Sequence, residues 1–583
     1  MAETLISPGV LARENDSSFV STQPVQAGAA IIGPTAKGPV GIPTLVTSYS
    51  DYQNKFGTTF TSGSNSSTYT YFTSIAAYNY FANGGTSLIV SRVVSGSYTS
   101  ANSGTTGGAG QLISGSAGAT NPVLILETIS QGIEQNSSSS IDPSGSLSSG
   151  SANNLRWQIV NSNTASGTFD LLIRQGNDNA INQTILETWT NLSLDPFSPN
   201  YVSKVIGDQS QTYRTDGTSY YLQTTGSYAG SSRYVRVKSV TNTPGYFDNT
   251  GIAKVQYTAS IPIPASGSFT GATGDLQGGA QYYNTITDGN RSQGIPSGSN
   301  NGQGYVDMIN LLANQDDYRF NILLTPGIFN SLQSSLVTSI ISIAENRGDF
   351  IYVCDLVPYG SGVSTVTTQA ASRNTSYAAA YWPWCQVQDP DSGVQVWTPA
   401  STVIGGVYAY NDRVAEPWFA PAGINRGGLT TVIRAERRLA QSDRDTLYNG
   451  KVNPIATFPG TGVVVYGQKT LQTQASALDR VNVRRLLIAL KSYISQVANN
   501  LVFEQNTIAT RNQFLSQVNP YLESVQQRQG LYAFKVVMDD SNNTPDVIDR
   551  NQLIGNIYLQ PTKTAEFIYL NFNVTPTGAT FPA

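Results

Sequence analysis

The sequence predicts an α/β domain that is interrupted by an all-β insertion and followed by an α+β C-terminal part. Three observations carry this prediction. Helical spacing of apolar residues followed by an apolar run occurs near the N-terminus and again from about residue 304. Between them, over roughly 95–303, short β-type runs alternate with Gly, Ser and Asn. After about residue 450, two long amphipathic patterns are followed by further β-type runs.

The first helix and strand of the α/β domain lie within residues 1–94. Apolar residues recur there at spacings of 4, 3 and 4, namely Tyr71, Ile75, Tyr78 and Ala82. This spacing predicts a helix, which Gly84-Gly85 would end. The apolar run 88–94 that follows predicts a buried strand.

The insertion is unusually poor in charge. From Ser95 to Leu155 there is no Lys or Arg. Apolar β-type runs nevertheless recur throughout the segment, at 122–126, 169–173 and 234–237. Repeated apolar strands favour a folded, exposed β module over a disordered segment.

The second stretch of α/β pattern begins at about residue 304. A short helix is predicted at 306–313, and a strand at 320–324 that ends at Thr325-Pro326-Gly327. A helix over about 332–343 and a buried strand at 350–354 follow. Strand, helix and strand with short connections predict a right-handed parallel crossover. We therefore expect the insertion to interrupt one α/β domain that is built from both of its flanks.

The C-terminal part shows the clearest helical periodicity, with spacings of 4, 3, 4, 3 and 4 at Val483, Leu487, Leu490, Ile494, Val497 and Leu501. A second helix over about 515–525 carries Pro520 and is predicted to kink or restart there, ending at Gly530. β-type runs follow at 532–538, 557–559 and 565–574. The last run has no later partner in the sequence, so it is a candidate for pairing with another chain.

Composition excludes several classes of function. The 583 residues include 33 basic and 37 acidic side chains, only 12% of the chain, and no His, for a net charge of −4. The lack of His removes imidazole bases and His metal ligands, and the charge balance argues against a dedicated nucleic-acid binder. Cys354 and Cys385 match no metal or redox spacing and are expected to be buried thiols. No apolar run approaches the ~20 residues of a membrane span, and no signal peptide is recognisable. The protein is therefore expected either to be made and assembled in the cytoplasm or to leave it without the general secretory route.

No segment has the pattern of a catalytic or cofactor site. Gly33–Gly38 superficially resembles a phosphate loop, but Lys37 precedes the second glycine and two prolines remove amide donors. Asp316-Asp317 and Asp539-Asp540 lack the alternating ligands of a calcium loop, and the second pair is typical of a turn. The aromatic stretch 381–384 could stack on sugars, although buried core or subunit contact is the commoner role. We expect no enzyme activity, no metal and no cofactor.

Basic side chains gather in two places. The first is an arginine-rich stretch with Arg426, Arg434, Arg437, Arg438 and Arg444. The second is the predicted helix 483–501, where Arg484 and Lys491 are seven residues apart and so share one flank. Either group could be a solvated face, or it could meet an acidic partner surface and set its register.

Short stretches over both ends of the chain, taken together and in order, resemble the contractile tail sheath proteins of tailed phages, with a layout most like the T-even type. These stretches are Ser7-Pro8-Gly9-Val10, Phe81-Ala82-Asn83-Gly84-Gly85, Ser91-Arg92-Val93, Tyr381-Trp382-Pro383-Trp384, Asp389-Pro390, Pro399-Ala400-Ser401, Asn411-Asp412-Arg413, Ala420-Pro421-Ala422-Gly423, Arg426-Gly427, Leu447-Tyr448, Asn453-Pro454-Ile455, Gly460-Thr461-Gly462, Tyr466-Gly467-Gln468-Lys469-Thr470-Leu471, Asn482-Val483-Arg484-Arg485-Leu486, Pro561 and Glu566-Phe567-Ile568.

The resemblance implies an architecture of three parts. Residues 1–22 and 451–583 would form an inner sheath domain, residues 23–94 and 304–450 a middle α/β domain, and residues 95–303 one or more outward-facing, mainly-β domains. N- and C-terminal arms, about Leu5–Phe19 and Ala565–Val574, would link neighbouring subunits by strand exchange. The arm residues would be Pro8, Gly9, Val10, Ile568, Leu570 and Phe572.

The resemblance also implies a function and partners. The chain would be a structural subunit of a helical sheath around a tail tube, contracting from a metastable extended state to drive the tube through the host envelope. Its partners would be further copies of itself, the tail tube protein, the baseplate, and tail terminator and neck proteins, with no nucleic acid and no membrane insertion. Arg484 and Lys491 would face the tube, and the protein would reside in the virion tail after assembly in the host cytoplasm. Two alternatives stay open: the sheath of a non-viral contractile injection system, and a polysaccharide-binding surface protein.

Overall fold

The computed structural model describes residues 25–26, 28–62, 67–94, 96–104, 112–115, 122–217, 219–274 and 303–569. Its largest feature is an eight-stranded sheet, called here the central sheet. In spatial order its strands are Gly462–Val465, Val452–Phe458, Ala378–Trp382, Ile351–Asp355, Ile322–Phe329, Ala29–Gly33, Leu88–Arg92 and Thr44–Val46. All neighbours are parallel except the pair at each edge, which is antiparallel. Strands from both flanks of the insertion pair directly, which confirms that the insertion interrupts one α/β domain.

The central sheet is covered on both faces, as the continuous apolar runs predict. Alternate residues of each strand point to opposite faces and so enter two separate cores. One face packs against helices Gln303–Leu311, Ser334–Arg347, Val363–Ala371 and Gln441–Asn449. The other packs against helices Tyr49–Phe56, Phe72–Ala82 and Ser401–Val414, and against the start of helix Val481–Asn499. The domain is therefore a three-layer α/β structure.

The strand Ile322–Phe329 is longer than expected. The prediction that it ends at residues 325–327 is wrong, because the strand continues through them with a shift of register between Leu324 and Phe329. The bulge lets the chain pass Pro326, which has no N–H for the ladder. Beyond it, the buried carboxylate of Asp355 accepts hydrogen bonds from the Ser401 backbone N–H at 3.1 Å and hydroxyl at 2.5 Å. This contact ties the end of one strand to the start of a covering helix.

Both cysteines and the aromatic stretch 381–384 lie inside this domain. Cys354 and Cys385 are free thiols and buried, as expected. Tyr381, Trp382 and Trp384 are each at most 3% exposed, so they are core residues. Smaller sheets border the domain: Cys385–Gln388 with Gln395–Thr398 and Val432–Ala435, Thr59–Ser62 with Ser67–Thr70, and Val25–Gln26 with Tyr318–Arg319.

The insertion is mainly β, as predicted. A four-stranded antiparallel sheet contains Ile185–Ser193, Thr168–Gln175, Leu155–Asn163 and Ala265–Ser268, and a three-stranded sheet contains Val235–Val240, Leu124–Gln131 and Ser100–Asn102. Ser210–Thr215 and Tyr220–Thr225 form a hairpin, and the helical segments among the described residues of the insertion are the short Ile133–Gln135, Val202–Ile206 and Val255–Thr258. The sheets enclose a core of their own around Trp157 and Phe169, with the buried side chain of Asp178 bridging Arg156 and Arg174.

The C-terminal part consists of two helices and a two-stranded sheet, which is called here the hairpin although the helix Pro545–Asp549 lies between its strands. Helix Val481–Asn499 and helix Ile508–Gln527 pack with strands Leu531–Val537 and Asn556–Pro561, which form a two-stranded antiparallel sheet. The second helix continues through Pro520, so the predicted restart there is wrong; neighbouring packing of Val518 and Leu522 holds it together. The 3₁₀ turn Ala477–Asp479 precedes the pair, and helix Pro545–Asp549 follows a turn at Asp539. Among the described helices, none is both long and apolar enough to cross a bilayer.

The domain boundaries stay a prediction. Strands Val452–Phe458 and Gly462–Val465, which the family resemblance assigns to the inner domain, are part of the central sheet. The helices and hairpin beyond residue 480 have a core of their own, to which Trp418 of the α/β domain contributes.

Candidate subunit-interaction site

The described end of the chain is an extended segment, residues 562–569, that lies against the C-terminal part and the edge of the α/β domain. It contains no strand, although it covers the start of the β-type run predicted at 565–574. One side chain, Glu566, anchors it. The Arg480 guanidinium donates to both Glu566 carboxylate oxygens, from Nε at 2.7 Å and from Nη2 at 2.9 Å. We call this contact and its neighbours the Glu566 anchor.

Two more side chains complete the Glu566 anchor. The hydroxyl of Tyr448 donates to the Glu566 carboxylate at 2.7 Å, and the amide of Gln468 donates to it at 3.1 Å. The same amide also donates to the Thr564 hydroxyl at 2.6 Å. Four donor groups on one carboxylate make this a charge-assisted, directional attachment rather than a simple ion pair.

The anchor is assembled from three separate elements. Tyr448 belongs to helix Gln441–Asn449, Gln468 follows the edge strand of the central sheet, and Arg480 immediately precedes helix Val481–Asn499. Asn453 holds the loop after the edge strand, since its side chain accepts from Lys469 N at 2.6 Å and donates to Lys469 O at 2.8 Å. The C-terminal segment is thereby fixed to a rigid part of the sheet.

Electrostatics favour the charged form of Glu566. Burial by itself would raise the pKa of this carboxyl, but the hydrogen bonds from Arg480, Tyr448 and Gln468 outweigh burial and lower it. Lys469, whose ammonium lies 4.0 Å from the centre of the Tyr448 ring, has a pKa lowered by burial and by the nearby Lys451 and Arg480 charges. Glu566 is therefore ionised at neutral pH.

A large groove runs beside the anchored segment. Its volume is about 1040 Å³; Trp418, Phe419 and Tyr466 line it, and residues 563–568 form part of its wall. Arg426 and Arg444, from the arginine-rich stretch, also line it. Arg426 lies over the Phe419 ring and Arg444 over the Phe458 ring, so both are held on aromatic faces.

Beyond the anchor the chain turns outward. Phe567, Ile568 and Tyr569 are 68%, 76% and 88% exposed. The hairpin next to them is a two-stranded sheet in the described chain, so each of its strands has one edge without a partner strand there. Three consecutive exposed apolar side chains and an unpaired sheet edge are typical of a surface that another chain covers.

Of the residues predicted to link subunits, the structure places only Ile568, which is exposed. Leu570 and Phe572, and the N-terminal Pro8, Gly9 and Val10, lie outside the described residues. The Glu566 anchor itself was not predicted as a site. Its members lie within the stretches that carry the family resemblance, but up to 118 residues separate them, as between Tyr448 and Glu566, and nothing in the spacing indicates that they meet.

The two residues predicted to face a tube both contact Tyr377. The Arg484 guanidinium lies 4.0 Å from the centre of the Tyr377 ring, is hydrogen-bonded to the Ser376 hydroxyl, and is 4% exposed as a whole residue. The ammonium of Lys491 donates to the Tyr377 hydroxyl at 3.2 Å from an exposed position. Burial lowers the pKa of Arg484, opposed by Tyr377. Of the pair, Lys491 is the side chain that a partner could reach in this conformation.

Comparison with known proteins points to one family for the two C-terminal segments of the chain. Residues 301–471 match the phage tail sheath protein central domain, and residues 473–575 match the phage tail sheath C-terminal domain. The tail sheath protein of Vibrio phage KVP40 is 34% identical over 357 residues, which are 58% of this chain and 51% of that protein. The tail sheath protein of Enterobacteria phage T4 is 34% identical over 265 residues, 42% of this chain and 40% of that protein. The chain therefore spans about half the length, or less, of these curated relatives.

A solved structure extends the likeness over nearly the whole chain. The sheath tail protein of Listeria innocua is 10% identical, with a TM-score of 0.51 over 93% of this chain and 96% of that one. At this identity the likeness concerns the fold alone. Together with the two matched domains, it confirms the resemblance to phage tail sheath proteins and the mixed α/β, multidomain fold.

Proposed function

We propose that this relative of the phage tail sheath proteins is a structural subunit of a contractile helical sheath around a tail tube, with no catalytic step of its own. The observation that carries the proposal is the C-terminal segment: Glu566 fixes it to the subunit, and the residues just beyond it expose apolar side chains beside an unpaired sheet edge. The curated relatives are phage proteins, which favours a phage tail over a non-viral injection device.

The anchor gives the segment the properties of a linking arm. Because Glu566 is held by three side chains, the arm leaves each subunit at a defined place and in a defined direction. Beyond it, residues 570–574 continue the apolar alternation of the sequence. About six main-chain hydrogen bonds of ~1 kcal/mol each would join such an arm to a neighbouring sheet edge. Repetition through a lattice makes these modest links sufficient to hold subunits together.

Contraction that is not driven by nucleotide hydrolysis requires energy stored in the assembly. We propose that the extended sheath is kinetically trapped above the contracted one, and that interfaces repack while the subunit fold is retained. The baseplate, the tail tube protein, and the tail terminator and neck proteins are the proposed partners, in a virion tail assembled in the host cytoplasm.

Truncation at the arm tests the proposal. The full chain should form long hollow tubes in electron micrographs, and a variant lacking residues 568–583 should remain folded by circular dichroism but fail to polymerise. A control that lacks only residues 575–583, beyond the predicted arm, should assemble normally. Regular tubes from the longer truncation would refute the linking role.

A charge reversal tests the tube-facing flank of helix Val481–Asn499. We propose that exposed Lys491 contacts the tube, and the buried Arg484 supports the helix that carries it. Lys491→Glu should weaken assembly on tail tubes and leave self-polymerisation unchanged, whereas Lys204→Glu, on an exposed position of the insertion, should alter neither. Unchanged co-sedimentation of the Lys491 variant with tubes would contradict this role.

A further inference from the structure

A second, smaller cavity lies where the insertion meets the α/β domain. Its volume is about 390 Å³, and it is lined both by residues of the α/β domain, between positions 37 and 55, and by residues of the insertion, between positions 129 and 236. Four basic side chains are among the lining residues and no acidic one: Lys37, Lys55, Arg233 and Arg236. This is unusual in a chain with more acidic than basic residues.

Two of the four cations already have carboxylate partners behind the cavity wall. Lys55 pairs with Asp51 at 2.9 Å, and Arg236 pairs with Glu127 at 2.6 Å. Their charges are largely compensated, so they contribute hydrogen-bond donors more than net charge. The uncompensated charge of the cavity comes from the other two side chains.

The two remaining basic side chains are Lys37, from the α/β domain, and Arg233, from the insertion. Within the described residues, neither the Lys37 ammonium nor the Arg233 guanidinium has a hydrogen-bond acceptor or a salt-bridge partner. Burial lowers the pKa of Lys37, and the more distant charge of Glu134 only partly opposes this. Glu187 is near Arg233, but its carboxylate accepts from the Arg233 backbone N–H at 2.8 Å and from the Ser232 hydroxyl at 2.6 Å.

Uncharged donors complete the lining. The amide of Gln135 and the hydroxyl of Ser231 are among them, together with the side chains of Asn54, Asn153, Gln209 and Gln211. A polar cavity with one cation from each part of the chain, neither of which is paired directly with a carboxylate, favours a ligand with two negative charges and several acceptor oxygens, which is the chemistry of a phosphate group. Its volume exceeds what a phosphate alone needs, so an attached organic group also fits.

We propose that this cavity binds a small phosphate-bearing molecule, which bridges Lys37 of the α/β domain and Arg233 of the insertion. The ligand supplies an acceptor to the Lys37 ammonium and joins the two parts of the chain. Binding therefore stabilises the attachment of the insertion, independently of sheath assembly.

Calorimetric titration of the full chain tests the site, with inorganic phosphate and glycerol 3-phosphate as probes and citrate as a carboxylate comparison. Saturable binding of a phosphate probe is expected, together with a higher melting temperature. Lys37→Met should weaken binding at least about tenfold, since it removes a charged hydrogen-bond donor. Lys204→Met, which removes an exposed lysine outside the cavity, should bind as the unmodified chain does.

Arg233→Gln provides a second variant, because Arg233 is exposed and its replacement should not disturb folding even if Lys37→Met does. It should weaken binding several-fold, about three to ten times. The proposal is overturned if neither phosphate probe binds saturably, if the Arg233 variant binds as tightly as the unmodified chain, or if citrate binds as tightly as the phosphate probes.

Discussion

The insertion and the C-terminal part are both attached to the α/β domain, but in different ways. The buried core of the insertion contains only its own residues, between positions 101 and 272, and only partly buried side chains of its hairpin, Tyr213 and Leu222, pack against the core of the α/β domain. The C-terminal part instead shares side chains with its neighbour: helix Val481–Asn499 places Val481 and Ile488 in the core of the α/β domain, while Leu486 and Leu490 enter the C-terminal core.

Polar contacts join both regions to the α/β domain, and in each case a buried arginine takes part. Hydrogen bonds around Gly38 join the insertion to the α/β domain, with Ser130 Oγ accepting from Gly38 N at 2.7 Å and Arg92 Nη1 donating to Gly38 O at 2.6 Å and Gln131 O at 2.9 Å. The C-terminal part adds the buried Arg485, paired with Asp412 at 2.6 Å. A region with its own core can vary without disturbing its host, whereas a region that shares a core transmits displacement to it. The two domain matches, 301–471 and 473–575, cover the shared region and not the insertion.

The largest expected effect is confined to the insertion. Asp178→Ala leaves Arg156 and Arg174 buried without their carboxylate, and their side chains are only 1% and 3% exposed. The free energy of unfolding of the insertion should fall by about 3–5 kcal/mol. Scanning calorimetry should show one transition moved to lower temperature and the other unchanged. A single unfolding transition that shifts to lower temperature would contradict the view that the insertion unfolds independently of the α/β domain.

The matching change in the shared region should affect the α/β domain and the C-terminal part together. Asp412→Ala removes the partner of buried Arg485, but the Asp412 side chain is 28% exposed, so water compensates in part. We expect the free energy of unfolding to fall by about 2 kcal/mol in the second transition, that of the α/β domain and the C-terminal part. Asp546→Ala, which removes the partner of exposed Arg550, serves as control and should change neither transition.

A smaller effect on stability is expected for Arg484 and Lys491, the two basic side chains that contact Tyr377, and it should differ between them. Arg484→Met removes a buried cation–π contact at 4.0 Å and should destabilise the shared region by about 1–2 kcal/mol. Lys491→Met removes a more distant contact, 5.9 Å from the same ring, at an exposed position and should cost about 0.5 kcal/mol or less. Chemical denaturation measures both. Equal losses would mean that Arg484 is not the structural member of the pair.

The smallest effect is the response of the arm to pH. The pKa of Glu566 is lowered in the folded chain, so its stabilising contribution is complete above the ordinary glutamate value of about 4.3 and is lost as the pH falls through the lower folded value. The rate of backbone amide hydrogen exchange in residues 562–569, corrected for the intrinsic rate, should therefore increase only when the pH falls below the ordinary glutamate pKa. Glu566→Gln should show faster exchange at neutral pH and lose the acid-induced change. A pH dependence that persists in this variant would assign the effect to another group.

Sequence patterns determined the elements whose signals are local. Periodicities of four and three residues located the helices near Ile75 and Leu490, and apolar runs located the strands at 88–94 and 350–354, within a few residues of their observed bounds. Local signals failed where packing overrode them. Pro326 lies inside a strand because a bulge accommodates it, and Pro520 lies inside a helix whose neighbouring side chains are buried.

Only the tertiary structure decided which distant residues meet. The sequence alone predicted that the insertion interrupts one α/β domain and that both cysteines are buried. It did not indicate that Glu566 meets Arg480, that Arg484 is buried against Tyr377, or that Lys37 and Arg233 line one cavity. Periodicity reports the environment of a residue within a few turns of chain, whereas these contacts join residues that are far apart in the sequence and meet only when separate elements pack together.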